Sequence, residues 1–154
     1  MRRLHVRIVM LVAVSVAVAA CTSHKDVALV DAALFGNLSK IQALLDRGAN
    51  VEATAYDGLT PLDAAAKEGH LDVLKYLLER GALVNGGGTD RTALTLATIY
   101  EHTDCVRYLV SKGGEIRGTA QWKRGLLDSL RTRNKMELYN IVKQQIERED
   151  PQRS

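Results

Sequence analysis

Two cysteines and four histidines are the side chains of this 154-residue chain best suited to bind a metal, attack a carbonyl or move a proton near neutral pH. Such chemistry needs them grouped, because a zinc site takes three or four ligands and an activated nucleophile takes an adjacent base. The spacing does not group them. No His-Glu-x-x-His helix, paired-cysteine spacing or nucleophile elbow occurs, and Gly86-Gly87-Gly88 lacks the Lys-Ser/Thr that completes a phosphate loop. His70 and His102 occupy one recurring position beside a helical turn, so both read as structural. Cys105 reads as a small core residue, and His24 as part of a short polar segment. Catalysis, a metal site and a cofactor are therefore not expected, which leaves Cys21 to explain.

Cys21 ends an apolar run from Ile8 to Ala20 that only Ser15 interrupts, preceded by Arg2, Arg3 and Arg7. A positive start, a short apolar run and small residues before a cut form the layout of an export signal. The run is too short for a permanent anchor, since a spanning helix needs about 20 apolar residues. Val18-Ala19-Ala20-Cys21 also resembles the lipobox of bacterial lipoproteins, although Val18 stands where that family more often has Leu. The resemblance implies that residues 1–20 are a signal peptide cleaved before Cys21, which becomes a lipidated first residue. Thr22 after the cysteine, where an Asp would favour retention at the inner membrane, implies periplasmic attachment to the outer membrane. An ordinary secretory signal cut near Ala20, with Cys21 an incidental thiol, is the alternative reading.

Loss of the signal changes the charge. The chain carries 21 basic and 18 acidic side chains, and removing Arg2, Arg3 and Arg7 leaves 18 of each. The remainder is polarised: residues 21–116 hold 9 basic and 13 acidic groups, whereas 117–154 hold 9 and 5. Such polarity orients encounters with charged partners, and nucleic acid is not among those expected outside the cytoplasm. About 134 mature residues suffice for one domain with one core.

That core is built by repetition. Arg47-Gly48-Ala49 returns as Arg80-Gly81-Ala82, Gly36 returns as Gly69, and Thr60-Pro61-Leu62 returns as Thr92-Ala93-Leu94. Within one unit, Thr60 can cap a helix and Pro61 fits its first turn. Ala64, Ala65 and Ala66 allow close approach of a neighbour, and Gly69 suits a chain reversal. Leu71, Leu74, Leu77 and Leu78 then give a second helix an apolar face. The stretch from Asp57 to Ala82 resembles nearly a whole ankyrin repeat. The resemblance implies an all-α solenoid of stacked helix-turn-helix units with short β-hairpin-like fingers. Units are expected at 26–57, 58–89 and 90–121, with a tether at 21–25, a C-terminal cap at 122–146 and a frayed tail at 147–154. Asp63 departs from the family, which usually places a histidine there, and the cap lacks the Thr-Pro and Gly-His signals. Arg131, Arg133, Lys143, Gln144 and Gln145 are expected to form the cap's polar outer face.

The resemblance further implies a non-catalytic module that binds one protein partner on its concave side, and a monomer. Leu34 and Phe35 contribute from the first unit. Tyr56, Asp57, Leu59, Lys67 and Glu68 contribute from the second. Gly88, Thr89, Arg91, Ile99 and Tyr100 follow from the third, and Gln121, Trp122, Lys123 and Arg131 from the cap. Phe35, Tyr56, Tyr100 and Trp122 are four of the seven aromatics in the chain, and aromatic residues and Arg dominate interface energetics. The tether of Thr22 to Lys25 reaches roughly 14 Å at about 3.5 Å per residue, so this face is expected close to a membrane. Two roles fit: an immunity protein that neutralises a periplasm-acting effector such as a phospholipase, by similarity to tethered ankyrin lipoproteins, or a periplasmic scaffold or stress accessory for an envelope enzyme.

Overall fold

Threonine sets the start of each later repeat. Thr60, Thr92 and Thr119 each sit in extended backbone, and each side-chain oxygen accepts the N–H three residues on, from Asp63, Thr95 and Trp122. This satisfies a donor that a helix start otherwise leaves open. The computed structural model describes residues 24–55, 58–87 and 91–149. Its helices are α1 (24–34), α2 (Leu38–Asp46), α3 (Pro61–Glu68), α4 (Leu71–Glu79), α5 (Ala93–Ile99), α6 (Thr103–Ser111), α7 (Ala120–Thr132) and α8 (Met136–Glu149). No strand occurs among the described residues. The finger between α2 and α3 keeps a hairpin-like closure instead, with the Ala55 N–H donating to the Leu59 carbonyl at 3.0 Å.

The helices stack in pairs. α3 packs along α5, while α4 approaches α6 and α6 approaches α8. Small side chains make the first contact possible: Ala64, Ala65, Ala66, Ala93 and Ala97 are all buried. Leu62, Leu74, Leu77, Leu94 and Leu109 fill the space between the pairs, each contributing roughly 2 kcal/mol of apolar burial. Neighbouring fingers are joined by side chains: Glu52 accepts the Leu83 N–H at 2.9 Å, and Asn85 accepts the Glu115 N–H at 2.8 Å while donating to the Gly113 carbonyl at 3.0 Å.

Asp63 has its own wiring. It is buried, its Oδ2 accepts from both the Thr60 N–H (3.1 Å) and the Thr60 hydroxyl (2.8 Å), and its own N–H donates to Thr60 Oγ1. The departure from histidine thus yields a reciprocal capping box.

The ends differ from the sequence-based boundaries. His24 and Lys25, expected in the tether, are helical, and Asp26 accepts the Asn50 N–H at 3.0 Å. Glu147 to Glu149, expected to fray, complete α8, because Glu149 accepts the Ile116 N–H and pairs with Lys123, both at 2.9 Å. Gln145, expected outside, is buried and donates to the Gly114 carbonyl at 2.8 Å. The signal segment, Cys21 and residues 150–154 lie outside the described residues.

Candidate partner-binding face

α7 departs from the pattern of α3 and α5. Where those helices carry Leu62 and Leu94, α7 has Gln121, and where they carry Ala65 and Ala97 it has Arg124. Leu130 is the buried residue of α7. With Gln and Arg at those two positions, α7 does not reach the contact with α5 that α3 and α5 make. A cleft results. One part, of about 350 Å³, is lined by Thr98 and Ile99 of α5 and by Trp122, Gly125, Leu126, Ser129 and Leu130 of α7, with Arg133 beyond it. The other, of about 420 Å³, is lined by Arg91, Ile99, Arg117, Gly118 and Trp122 among others.

Ile99 and Trp122 belong to both parts, so they form the ridge of the cleft from opposite helices. They remain 40% and 39% exposed, which is high for residues of their size. The indole is seated on glycine: a Cβ at Gly118 would stand 2.8 Å from the Trp122 ring, and Gly118 has φ +128°. Next to the cleft, Tyr100 ends α5 half exposed, with the Lys67 ammonium 5.7 Å from its ring centre. Lys67 also pairs with Glu68 at 3.6 Å.

The expected binding residues therefore fall into separate groups. Arg91, Ile99 and Trp122 meet at the cleft, and Lys67, Glu68 and Tyr100 form a ridge beside it. Phe35 is 82% exposed in the turn after α1. Arg131 is exposed near the end of α7. Leu59 is buried, so it supports its finger rather than meeting a partner. Lys123 is drawn into the seam of the cap by Glu149, where both side chains are only 18% exposed. Tyr56 and Asp57 lie outside the described residues. Arg117, Gly118, Leu126 and Arg133 line the cleft without having been expected there; the Gly118-Thr119 pair, marking a helix start, was the available signal.

The histidines are structural pins. His70 Nε2–H donates to the Leu34 carbonyl at 3.0 Å, and His102 Nε2–H donates to the Lys67 carbonyl at 2.9 Å, each tying one repeat to the preceding one. Burial pushes the Cys105 thiol up to about 11, with Asp104 and Asp72 adding to it, which opposes thiolate formation. Among the described residues no group of three potential metal ligands converges.

The family described as ankyrin repeats (3 copies) matches residues 11–87 and 29–120. This chain belongs to the ankyrin-repeat family, a class of generally non-enzymatic protein–protein interaction modules. It is similar to the Drosophila melanogaster ankyrin repeat and KH domain-containing protein mask (40% identical over 97 residues, 61% of this chain) and to human ankyrin repeat and KH domain-containing protein 1 (38% over 97 residues, 61%). A Caenorhabditis elegans relative, BRCA1-associated RING domain protein 1, is 32% identical over 98 residues, or 62% of this chain. The matched regions span 2%, 4% and 14% of those proteins, respectively.

Proposed function

We propose that the protein holds one protein partner against the surface formed by the α5–α7 cleft and the Lys67–Tyr100 ridge. The observation that carries this is the pair Ile99 and Trp122, large apolar side chains left open on facing helices and lining both parts of one cleft, with the half-exposed Tyr100 beside them. Pocketed aromatic anchors of this kind dominate interface energies. In the finer form of the proposal the stack works at an envelope, lipid-anchored through Cys21 in the periplasm, and neutralises a toxic effector. The charged and apolar layout of residues 2–21 supports that form, while the matched relatives are animal proteins. A scaffold for an envelope enzyme is the second form and uses the same surface.

Capture from lysate of the source organism, together with the products of neighbouring genes, tests the proposal. Wild-type protein is expected to retain a one-to-one partner that the Tyr100→Ala/Trp122→Ala variant loses with a nearly unchanged melting temperature. Equal retention by the variant would remove this surface from the account. A captured hydrolase whose activity is blocked favours neutralisation; a resident envelope protein favours the scaffold. Incorporation of labelled palmitate that disappears in Cys21→Ser checks the anchor.

A further inference from the structure

We propose that Asn85 is a site of spontaneous deamidation which the folded stack protects and which opening of the finger between α6 and α7 releases. The product holds that finger less well, so the reaction records opening irreversibly.

The sequence supplies the reactive pair. Of the asparagines in the chain, Asn85 is the one followed by glycine. An asparagine side chain is attacked by the backbone nitrogen of the next residue, and glycine, having no Cβ, hinders that approach least. In this step the Gly86 nitrogen gives up its proton and bonds to Asn85 Cγ, the Cγ–Nδ2 bond breaks, and the amide nitrogen leaves as ammonia. Water then opens the cyclic imide at either carbonyl, leaving aspartate or isoaspartate with an added negative charge. No oxidant or cofactor takes part.

The fold engages the atoms that must react. Asn85 Nδ2, the leaving group, donates to the Gly113 carbonyl at 3.0 Å, and Oδ1 accepts the Glu115 N–H at 2.8 Å. With a carbonyl on one side and an N–H on the other, the amide has a single satisfied orientation. The Asn85 carbonyl accepts from Arg117 Nη2 at 3.1 Å, and the Gly86 N–H donates to the Leu83 carbonyl at 2.9 Å. Attack consumes the Gly86 N–H and expels Nδ2, so it breaks the bonds to Leu83 and Gly113 together.

The finger that holds Asn85 is itself held by the cap. Glu149 accepts the Ile116 N–H at 2.9 Å, and Gln145 donates to the Gly114 carbonyl at 2.8 Å. Reaction at Asn85 therefore runs through the population in which this finger has opened. Afterwards an ionised carboxylate oxygen faces the Gly113 carbonyl, acceptor against acceptor, and isoaspartate also adds a methylene to the backbone. Neither product restores the lost bond. Arg117 also lines the α5–α7 cleft, so the change falls at the edge of the proposed partner-binding face.

The test incubates the full chain in mildly alkaline buffer with and without urea, and follows each asparagine by peptide mapping that separates aspartate from isoaspartate. In urea Asn85 is expected to convert while Asn37, Asn50, Asn134 and Asn140 stay intact. In the folded chain its conversion is expected to be slower by roughly tenfold or more. Glu149→Ala removes the acceptor of the Ile116 N–H and should speed the reaction of the folded chain several-fold without changing the rate in urea, with circular dichroism checking the fold. Asn85→Asp, the aspartate product made directly, should raise hydrogen exchange at the Glu115 and Ile116 amides. No conversion of Asn85 in urea would overturn the site, and equal conversion with and without urea would overturn its protection by the fold. An unchanged folded rate in Glu149→Ala would break the link to finger opening. Unaltered exchange in Asn85→Asp would show that the product leaves the finger intact and records nothing.

Discussion

The junction between the second and third repeats and the junction between the third repeat and the cap perform one task with different chemistry. At the former, Gly69 takes φ +78° and lies against the His102 ring, and His102 binds back to the Lys67 carbonyl. Gly36 and His70 repeat that arrangement one unit earlier. At the cap, Glu101 occupies the glycine position with φ +63°, and Lys135 and Arg133 take the place of the histidine by pairing with the Glu101 carboxylate. Glu101 Oε1 receives no aligned hydrogen bond, so its 2.8 Å approach to Arg133 acts through charge rather than direction. The first arrangement is tight, a ring packed on a glycine and bonded to a carbonyl; the second, an ion-pair clamp, tolerates a first helix that stands away. Opening a cleft between α5 and α7 is compatible only with the second, because the cap is held elsewhere, by α6 against α8 and by Glu149 on the finger side.

The largest effect is expected on breaking the tight junction. In Gly69→Ala the added Cβ would stand 2.4 Å from His102 Nδ1 in a left-handed backbone, so backbone strain and the displaced histidine bond should together cost about 3 kcal/mol in urea denaturation. Removing the reciprocal cap with Asp63→Ala should cost about 1 to 2 kcal/mol by the same measurement, since Asp63 is buried and bonded twice to Thr60.

The charged junction is distinguished by pH. The hydrogen bond from Lys135 is the main influence on Glu101; desolvation opposes it, and the charges of Arg133 and Lys135 reinforce it, leaving the carboxyl below its usual range. A depressed carboxyl pKa contributes stability that is complete above the unfolded value and is lost as pH falls through the folded one. Acid should therefore loosen the cap as pH falls through the folded value of Glu101. Glu101→Gly removes both the clamp and the strained backbone. The difference between variant and wild type should move in the glycine's favour by about 1 kcal/mol between neutral and strongly acidic pH. A difference that stays constant with pH would show that the clamp contributes nothing. A further variant, Gly118→Ala, places its new methyl group against Trp122 in a backbone of φ +128° that side chains rarely adopt, so the tryptophan emission should shift and stability should fall by roughly 1 to 3 kcal/mol.

Much of the stack was legible because repetition writes the same residues at the same interval. The Thr-Pro start, the Gly69-His70 turn and the leucine spacing of α4 each have one physical reading, and the structure places a cap, a left-handed glycine and a buried stripe at those positions. Asp63 was legible as an exception but not as half of a capping box, since its partner hydrogen bonds depend on burial. The cleft was hidden because it arises from what α7 lacks, an apolar Leu and a small Ala where Gln121 and Arg124 stand. The inward turns of Lys123 and Gln145 were hidden for another reason: their partners Glu149 and Gly114 lie 26 and 31 residues away and share no periodicity with them.

Residue-resolved native-state hydrogen exchange at neutral and acidic pH tests the contrast between the junctions most directly. The amides of α3 and α5 are expected to exchange only with global unfolding at either pH. Those of α7 should open at a lower free energy that falls further in acid, as a cap held by the Glu101 clamp and standing off α5 requires. Protection of α7 equal to that of α5 at both pH values would contradict the account, because it would mean that the cap is packed like any other repeat.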